Sequence, residues 1–262
     1  ILDWSGTTAD AYVLAPAVVF VQVFQKHGVE VTMSEARGPM GLRKDLHIKA
    51  MTEIPEIRER WHGIHGQYPN QEDVDRMFED FVPMQLDCLR NYTTLLPLVA
   101  ETTQSLQKQG IKIGSTTGFL RSMVDILEED ARKQGYTPDA SVAGDEVING
   151  ARPKPFMVYR NLDLMDVHPI QSVIKVDDTV SGVGEALEAG CWGVGIARYS
   201  NYMDMDTLEE ADSLSEDEIK RRLVHTRTLL QKAGAHYVID TWEQMLDVIE
   251  DVNIRLGRGE KP

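Results

Sequence analysis

At 262 residues, 42% hydrophobic and 26% charged, the chain can bury a sizeable core in one large domain or two modest ones. A formal net charge of -15 leaves no basic stripe to neutralise a phosphate backbone, which argues against a nucleic-acid partner. The longest apolar run, Val13 to Val21, is interrupted by Pro16 and falls well short of the roughly 20 residues a membrane span needs, so no membrane partner is expected.

The chain opens on Ile1-Leu2-Asp3, read as the last two positions of a first strand and its polar tip. No charged segment precedes an apolar stretch there, so no signal peptide is expected. Residues 12–95 carry helical spacing, many charges and no convincing strand, as in Glu72 to Phe81 and Met84 to Leu89, and read as a helical cap inserted after the first strand. From Ile111 onward short β-rich runs alternate with helical patterns: Ile111 to Ile113, Ser141 to Val142, Ser172 to Val176, Trp192 to Ile196 and Tyr237 to Ile239. That alternation predicts an α/β fold with a Rossmann-like parallel sheet, built from 1–11 and 96–262. Cys88 and Cys191 stand far apart without a Cys-x-x-Cys or Cys/His cluster, which fits inert thiols in a reducing, cytoplasmic setting. The acidic runs Glu128-Glu129-Asp130, Asp204 to Glu210 and Glu216 to Glu218 read as solvated helix faces or caps.

In open α/β sheets ligands sit at the carboxyl ends of strands, where Asp3, Thr117 and Asp178 all fall. Asp3 alone could equally be a helix cap or Asx-turn. Paired with the second acidic tip, Val176-Asp177-Asp178-Thr179, it suggests an oxygen-rich site of the kind Mg²⁺ prefers. Gly114-Ser115-Thr116-Thr117-Gly118 offers hydroxyls and a glycine N–H for an anion, and Gly150-Ala151-Arg152-Pro153-Lys154-Pro155 supplies a cation. Taken singly, Thr117 is more often a helix cap and Arg152 a surface ion pair.

These four motifs in this order resemble the haloacid dehalogenase superfamily. The segments Asp-Trp-Ser-Gly-Thr-Thr, Pro-Met-Gly-Leu-x-Lys-x-x-His, Gly-Ser-Thr-Thr-Gly and Lys-Val-Asp-Asp-Thr resemble its phosphonatase branch over the whole chain. The resemblance implies that Asp3 accepts a phosphoryl group, that Thr117, Gly118 and Arg152 hold its oxygens, and that Asp3, the Ser5 carbonyl and Asp178 bind Mg²⁺. It further implies that Lys44 forms a Schiff base, His47 transfers protons and Met40 packs beside the lysine. The implied reaction is hydrolysis of the carbon–phosphorus bond of phosphonoacetaldehyde, a small-molecule phosphonate, by a homodimer joined through the cap. Without the resemblance, Lys44, His47 and Met40 read as a surface lysine, a helix histidine and a core methionine.

Three positions depart from the superfamily pattern. Ser5 stands where phosphatases carry an acid that protonates an alcohol leaving group. Phe119 occupies a position associated with tyrosine in some members. Gly182 replaces an acidic residue that supports the metal's water shell, and Asp177 is the candidate to compensate. An ester phosphatase with Lys44 binding the substrate anion is the alternative within the superfamily, although Ser5 argues against it. A binding protein on the same fold is the alternative outside enzymes, and joint retention of Asp3, Thr117, Arg152 and Asp178 argues against that.

Overall fold

The structure is a computed structural model and describes all 262 residues. Five short strands, β1 (Gly114–Thr116), β2 (Ala140–Val142), β3 (Ile174–Asp177), β4 (Trp192–Ile196) and β5 (Tyr237–Ile239), pair in parallel as β1 with β2 and as β3-β4-β5. Leu2 joins the two groups. It bridges Ser115 on one side and Val176 on the other, so Asp3 emerges at the centre of the sheet between the tips of β1 and β3. Its ladder is short but complete: Leu2 N–H donates to Gly114 at 2.9 Å, Thr116 N–H to Leu2 at 3.0 Å and Asp3 N–H to Val176 at 3.1 Å.

Two of the expected strands sit further along the chain than their apolar runs suggest. Ile111 to Ile113 lies ahead of β1, because the Asp139 carboxylate accepts the Ile113 N–H at 2.8 Å and ends the ladder there. Ser172 and Val173 close a short helical turn before β3 begins.

Helices α1 (Leu14–Lys26), α2 (Met33–Arg37), α3 (Lys44–Glu53), α4 (Pro55–His65) and α5 (Gln71–Leu89) follow the first strand segment without an intervening strand. Their starts are chemically marked. The Asp10 carboxylate accepts from Leu14 and Ala15 N–H, while Thr32 with Glu35 and Asn70 with Asp73 form capping boxes. The outgoing and returning segments run side by side: Asp10 N–H donates to Thr94 and Leu96 N–H to Thr8. The remaining helices, α6 (Val99–Lys108), α7 (Arg121–Lys133), α8 (Phe156–Met165), α9 (Val180–Ala189), α10 (Leu208–Ser213), α11 (Glu216–Lys232) and α12 (Met245–Gly257), flank the sheet. Together these elements form the Rossmann-like core with its helical cap. No helix is long and apolar enough to cross a membrane.

The two layers share one apolar core, from Leu2, Trp4 and Trp192 to Phe20, Phe24 and Phe81. Val19 and Phe24 are completely buried in it, so this part of α1 serves the chain's own packing. Two glycines are dictated by close approach. A side chain at Gly118 would overlap the Leu42 carbonyl of the cap, and one at Gly182 would overlap the Asp177 carboxyl group. Gly182→Ala is therefore expected to lower stability by roughly 1–3 kcal/mol, the usual cost of overpacking, measured as a fall of several degrees in Tm. An unchanged Tm would contradict the packing described.

Candidate active site

Asp3, Asp177 and Asp178 are buried and offer carboxylate oxygens within 4.8 Å of one another. Their environments differ. Asp177 is saturated by its own neighbourhood: Oδ1 accepts the Thr179 N–H and hydroxyl at 3.0 and 2.8 Å, and Oδ2 accepts from Lys175 at 2.7 Å. Asp178 Oδ2 accepts the Asn201 N–H at 2.8 Å, and its Oδ1 meets only the Thr7 hydroxyl at 3.4 Å. Asp3 uses Oδ1 to accept from Arg152 at 2.6 Å, leaving Oδ2 without a hydrogen bond. The Ser5 carbonyl likewise accepts none.

Arg152 is the hub of this cluster. It reaches Asp3, the Glu185 carboxylate at 2.9 Å, Asp177 at 3.3 Å, and the carbonyl and hydroxyl of Thr116, each at 2.8 Å. Its Nε and Nη2 donate to the protein, Nη1 meets only Asp177 as an ion pair, and its charge lies against the Asp3 carboxylate. Lys175, wholly buried, binds Asp177 and lies 3.5 Å from Glu185. Four buried carboxylates therefore face two buried cations. The deficit is felt at Asp178, whose carboxyl is pushed well above the usual range by burial and by the charges of Asp177 and Asp3. Burial also raises Asp3, to about 6, against the lowering effect of Arg152. A divalent cation fits this donor set: hard oxygens with free lone pairs and a shortfall of two charges.

On the cap side, Lys44 begins α3 and is only 4% exposed. Its amine lies 4.4 Å from the Phe119 ring centre and 5.7 Å from that of Phe20, and makes no salt bridge. Burial lowers its pKa to about 8, with the Arg152 charge adding to that effect and Asp3 opposing it. One helical turn on, the buried His47 ring stacks on Phe20 at 3.7 Å, and Nε2 lies 2.8 Å from the Ala36 carbonyl. A carbonyl only accepts, so Nε2 carries the proton and Nδ1 presents a lone pair, which has no partner. Burial and the nearby Lys44 hold this ring neutral, far below the ordinary histidine pKa.

A small cavity joins the two sides. Asp3, Ser5, Val13, Met40, Lys44, Thr117, Gly118, Phe119 and Arg152 all line it. Met40 is buried beside Val13 and Ala17. The Thr117 hydroxyl oxygen accepts the Phe119 N–H at 3.2 Å, so Thr117 does not cap α7, and the Gly118 N–H donates to no group of the chain. Neither His47 nor Asp178 lines it.

Over 252 residues the chain is 42% identical to phosphonoacetaldehyde hydrolase of Bacillus cereus, covering 96% of this chain and 95% of that protein. The chain belongs to the phosphonoacetaldehyde hydrolase family. It is also 41% identical to a bifunctional phosphonoacetaldehyde hydrolase/aminoethylphosphonate transaminase of Clostridioides difficile, spanning 95% of this chain but 39% of that protein. A crystal structure of a phosphonoacetaldehyde hydrolase-like protein from Oleispira antarctica superposes with a TM-score of 0.96 at 41% identity, covering 100% of this chain and 94% of that one. No family model matches the chain.

Sequence reasoning missed Thr116, Lys175 and Glu185 at this phosphonoacetaldehyde hydrolase-type site. Signals were present. Lys175 is a charge set between the apolar Ile174 and Val176 of β3, and Glu185 lies in the small-residue stretch Val180 to Ala189. Removing the hub should expose its importance: Arg152→Ala, which takes a cation from three buried carboxylates and leaves Asp3 without an ion-pair partner, is expected to lose roughly 3–5 kcal/mol of stability, read from urea unfolding. An unmoved midpoint would show that the cluster does not depend on Arg152.

Proposed function

We propose that this chain hydrolyses the carbon–phosphorus bond of phosphonoacetaldehyde to acetaldehyde and phosphate, through a Schiff base on Lys44 and a phosphoryl intermediate on Asp3. The observation that carries the reading is a desolvated, unpaired lysine amine sharing one cavity with a carboxylate that has a free oxygen. At its ordinary pKa a lysine has well under ~0.1% of its amines neutral at pH 7, whereas a pKa near 8 leaves about one in ten able to attack a carbonyl.

Neutral Lys44 adds to the aldehyde carbon and loss of water gives an iminium. His47, with its bare Nδ1, relays the proton shed as the amine adds to the oxygen that departs as water, holding it only in passing because burial keeps the ring neutral. Asp3 Oδ2 then attacks phosphorus. The electron pair of the breaking carbon–phosphorus bond moves into the iminium, giving an enamine while phosphorus becomes bonded to Asp3. Protonation at the enamine carbon restores an iminium, which water hydrolyses to acetaldehyde and free Lys44. A second water hydrolyses the aspartyl phosphate. One water is released and two are consumed, so the net reaction uses one.

Ser5 belongs with this chemistry. The leaving electrons go to nitrogen by way of carbon, so no acid is needed at that position to protonate a departing oxygen. Asp3, Asp178 and the Ser5 carbonyl would hold Mg²⁺, which when bound supplies positive charge to offset the repulsion between a carboxylate and an anionic phosphonate. Asp177, already saturated, serves by lying over Gly182 and anchoring Arg152 and Lys175. Thr117 and the Gly118 N–H are the proposed phosphoryl contacts, with Arg152 compensating charge from behind, and Met40 shields the amine from water. The cavity offers about 20 Å³ to a water-sized centre, room for little more than one water. Entry of substrate therefore requires residues 12–95 to move as a cap. We further propose a homodimer joined through that cap, checked by light scattering.

Borohydride added to a mixture of protein and phosphonoacetaldehyde should fix a substrate-derived adduct on the Lys44 peptide, absent in Lys44→Arg. A folded protein that gives no adduct would overturn the imine and favour an ester phosphatase. The pH dependence has a definite sign. A lysine whose pKa is lowered to about 8 gains its reactive form as pH rises, so kcat/KM should climb about tenfold per unit below that value and level off above it. A profile flat from pH 6 to 8 would contradict a lysine nucleophile.

A further inference from the structure

Helix α2 touches both halves of the chemistry without lining the cavity. Its Ala36 carbonyl holds His47. The next residue, Arg37, is 4% exposed and reaches out of the cap: Nη1 donates to the Tyr12 carbonyl at 2.7 Å and to Asn201 Oδ1 at 3.3 Å, and Nη2 donates to the Met205 carbonyl. Asn201 answers by donating its side-chain amide to the Arg37 carbonyl at 3.1 Å. Asn201 is also the residue whose main-chain N–H holds Asp178 Oδ2 at 2.8 Å, while neighbouring Ser200 donates to the Asp178 carbonyl at 2.8 Å. The nearest carboxylate to Arg37, Asp204, is 3.8 Å away and largely exposed. Nη1 and Nη2 are therefore satisfied by carbonyls and by Asn201, acceptors they keep only while α2 is seated on the loop from Ser200 to Met205, and the buried Nε has no hydrogen bond.

The crossover into the cap is held by the same group. Asp10, Tyr12 and Val13 adopt left-handed backbone at φ 52°, 66° and 57°, unusual for non-glycine residues and most of all for the β-branched Val13. Arg37 bonds the Tyr12 carbonyl, and Tyr12 N–H donates to Tyr199 on the far side at 2.8 Å.

We infer that Arg37 is a positioning residue which, through Asn201, couples seating of the cap to the orientation of the Asp178 carboxylate. When α2 docks, His47 is set by Ala36 and the loop carrying Asn201 is fixed against Asp178 in one event. Lifting α2 frees that loop. The inference rests on the proposed reading of Asp178 as a metal-binding carboxylate.

The test titrates magnesium alone, by calorimetry, into the whole chain and into Arg37→Ala, Arg37→Lys, Asn201→Ala and the double alanine variant. Each single alanine variant should bind magnesium about tenfold more weakly, the scale seen when groups orienting metal ligands are removed. The double variant should be no worse than the weaker single one, because both changes break one contact. Arg37→Lys should recover part of the affinity. Hydrogen exchange of the segment 33–47 should quicken in both single variants. Local packing damage alone would quicken exchange without altering magnesium affinity. Unchanged affinity in folded Asn201→Ala, or losses that add in the double variant, would overturn the coupling. If Arg37→Ala does not fold, Asn201→Ala and Arg37→Lys carry the same test, since both keep the main-chain N–H of residue 201. Asp178→Asn separates the two readings: if it binds magnesium as well as the unmodified chain, the metal assignment fails; if it alone loses binding, only the coupling does.

Discussion

The structure is organised by the burial of four carboxylates, Asp3, Asp177, Asp178 and Glu185, against two cations, Arg152 and Lys175. Charges taken from water must be paired or they destabilise the fold. Arg152 and Lys175 complete Asp177, and they hold Glu185 through Oε2 alone. Asp3 and Asp178 keep unshared oxygen lone pairs at the sheet's centre, where a divalent ion and a phosphorus atom can use them. The site's chemistry follows from which members of one charge cluster are left incomplete.

Desolvation acts on both sides of the cavity and in complementary directions. It raises Asp3 and lowers Lys44, bringing both toward the pH at which an anion and a neutral amine coexist. The core alone would leave Asp3 more open to water, and the cap alone would leave Lys44 an ordinary ammonium. Gly118, pressed against the Leu42 carbonyl, lets the two surfaces meet closely enough for this to happen. Phe119 and Phe20 then surround the amine with rings rather than carboxylates, so its charge is not locked into an ion pair.

Family membership adds meaning to the departures in the sequence. On the proposed mechanism Ser5 fits, because the acid it replaces would serve an oxygen leaving group and a carbon leaving group conjugated to an iminium needs none. Gly182, read from the sequence as a missing acid, is in the structure the space occupied by the Asp177 carboxylate.

Period and punctuation in the sequence determined the parallel α/β organisation, the helical segment between the first strand and β1, and the residues at the strand tips, because strand ends and helix caps are local properties of neighbouring residues. The segment around Met40, Lys44 and His47 was legible only as a pattern; nothing local distinguishes a lysine that will be buried from one on a surface. Tertiary structure decided the strand limits, where Asp139 captures the Ile113 N–H, and the hub made by Thr116, Arg152, Lys175 and Glu185. It also decided the tautomer of His47 and the path from Arg37 through Asn201 to Asp178. All of these depend on groups brought together from distant parts of the chain, and on how much water is excluded once they meet, which no short stretch of sequence contains.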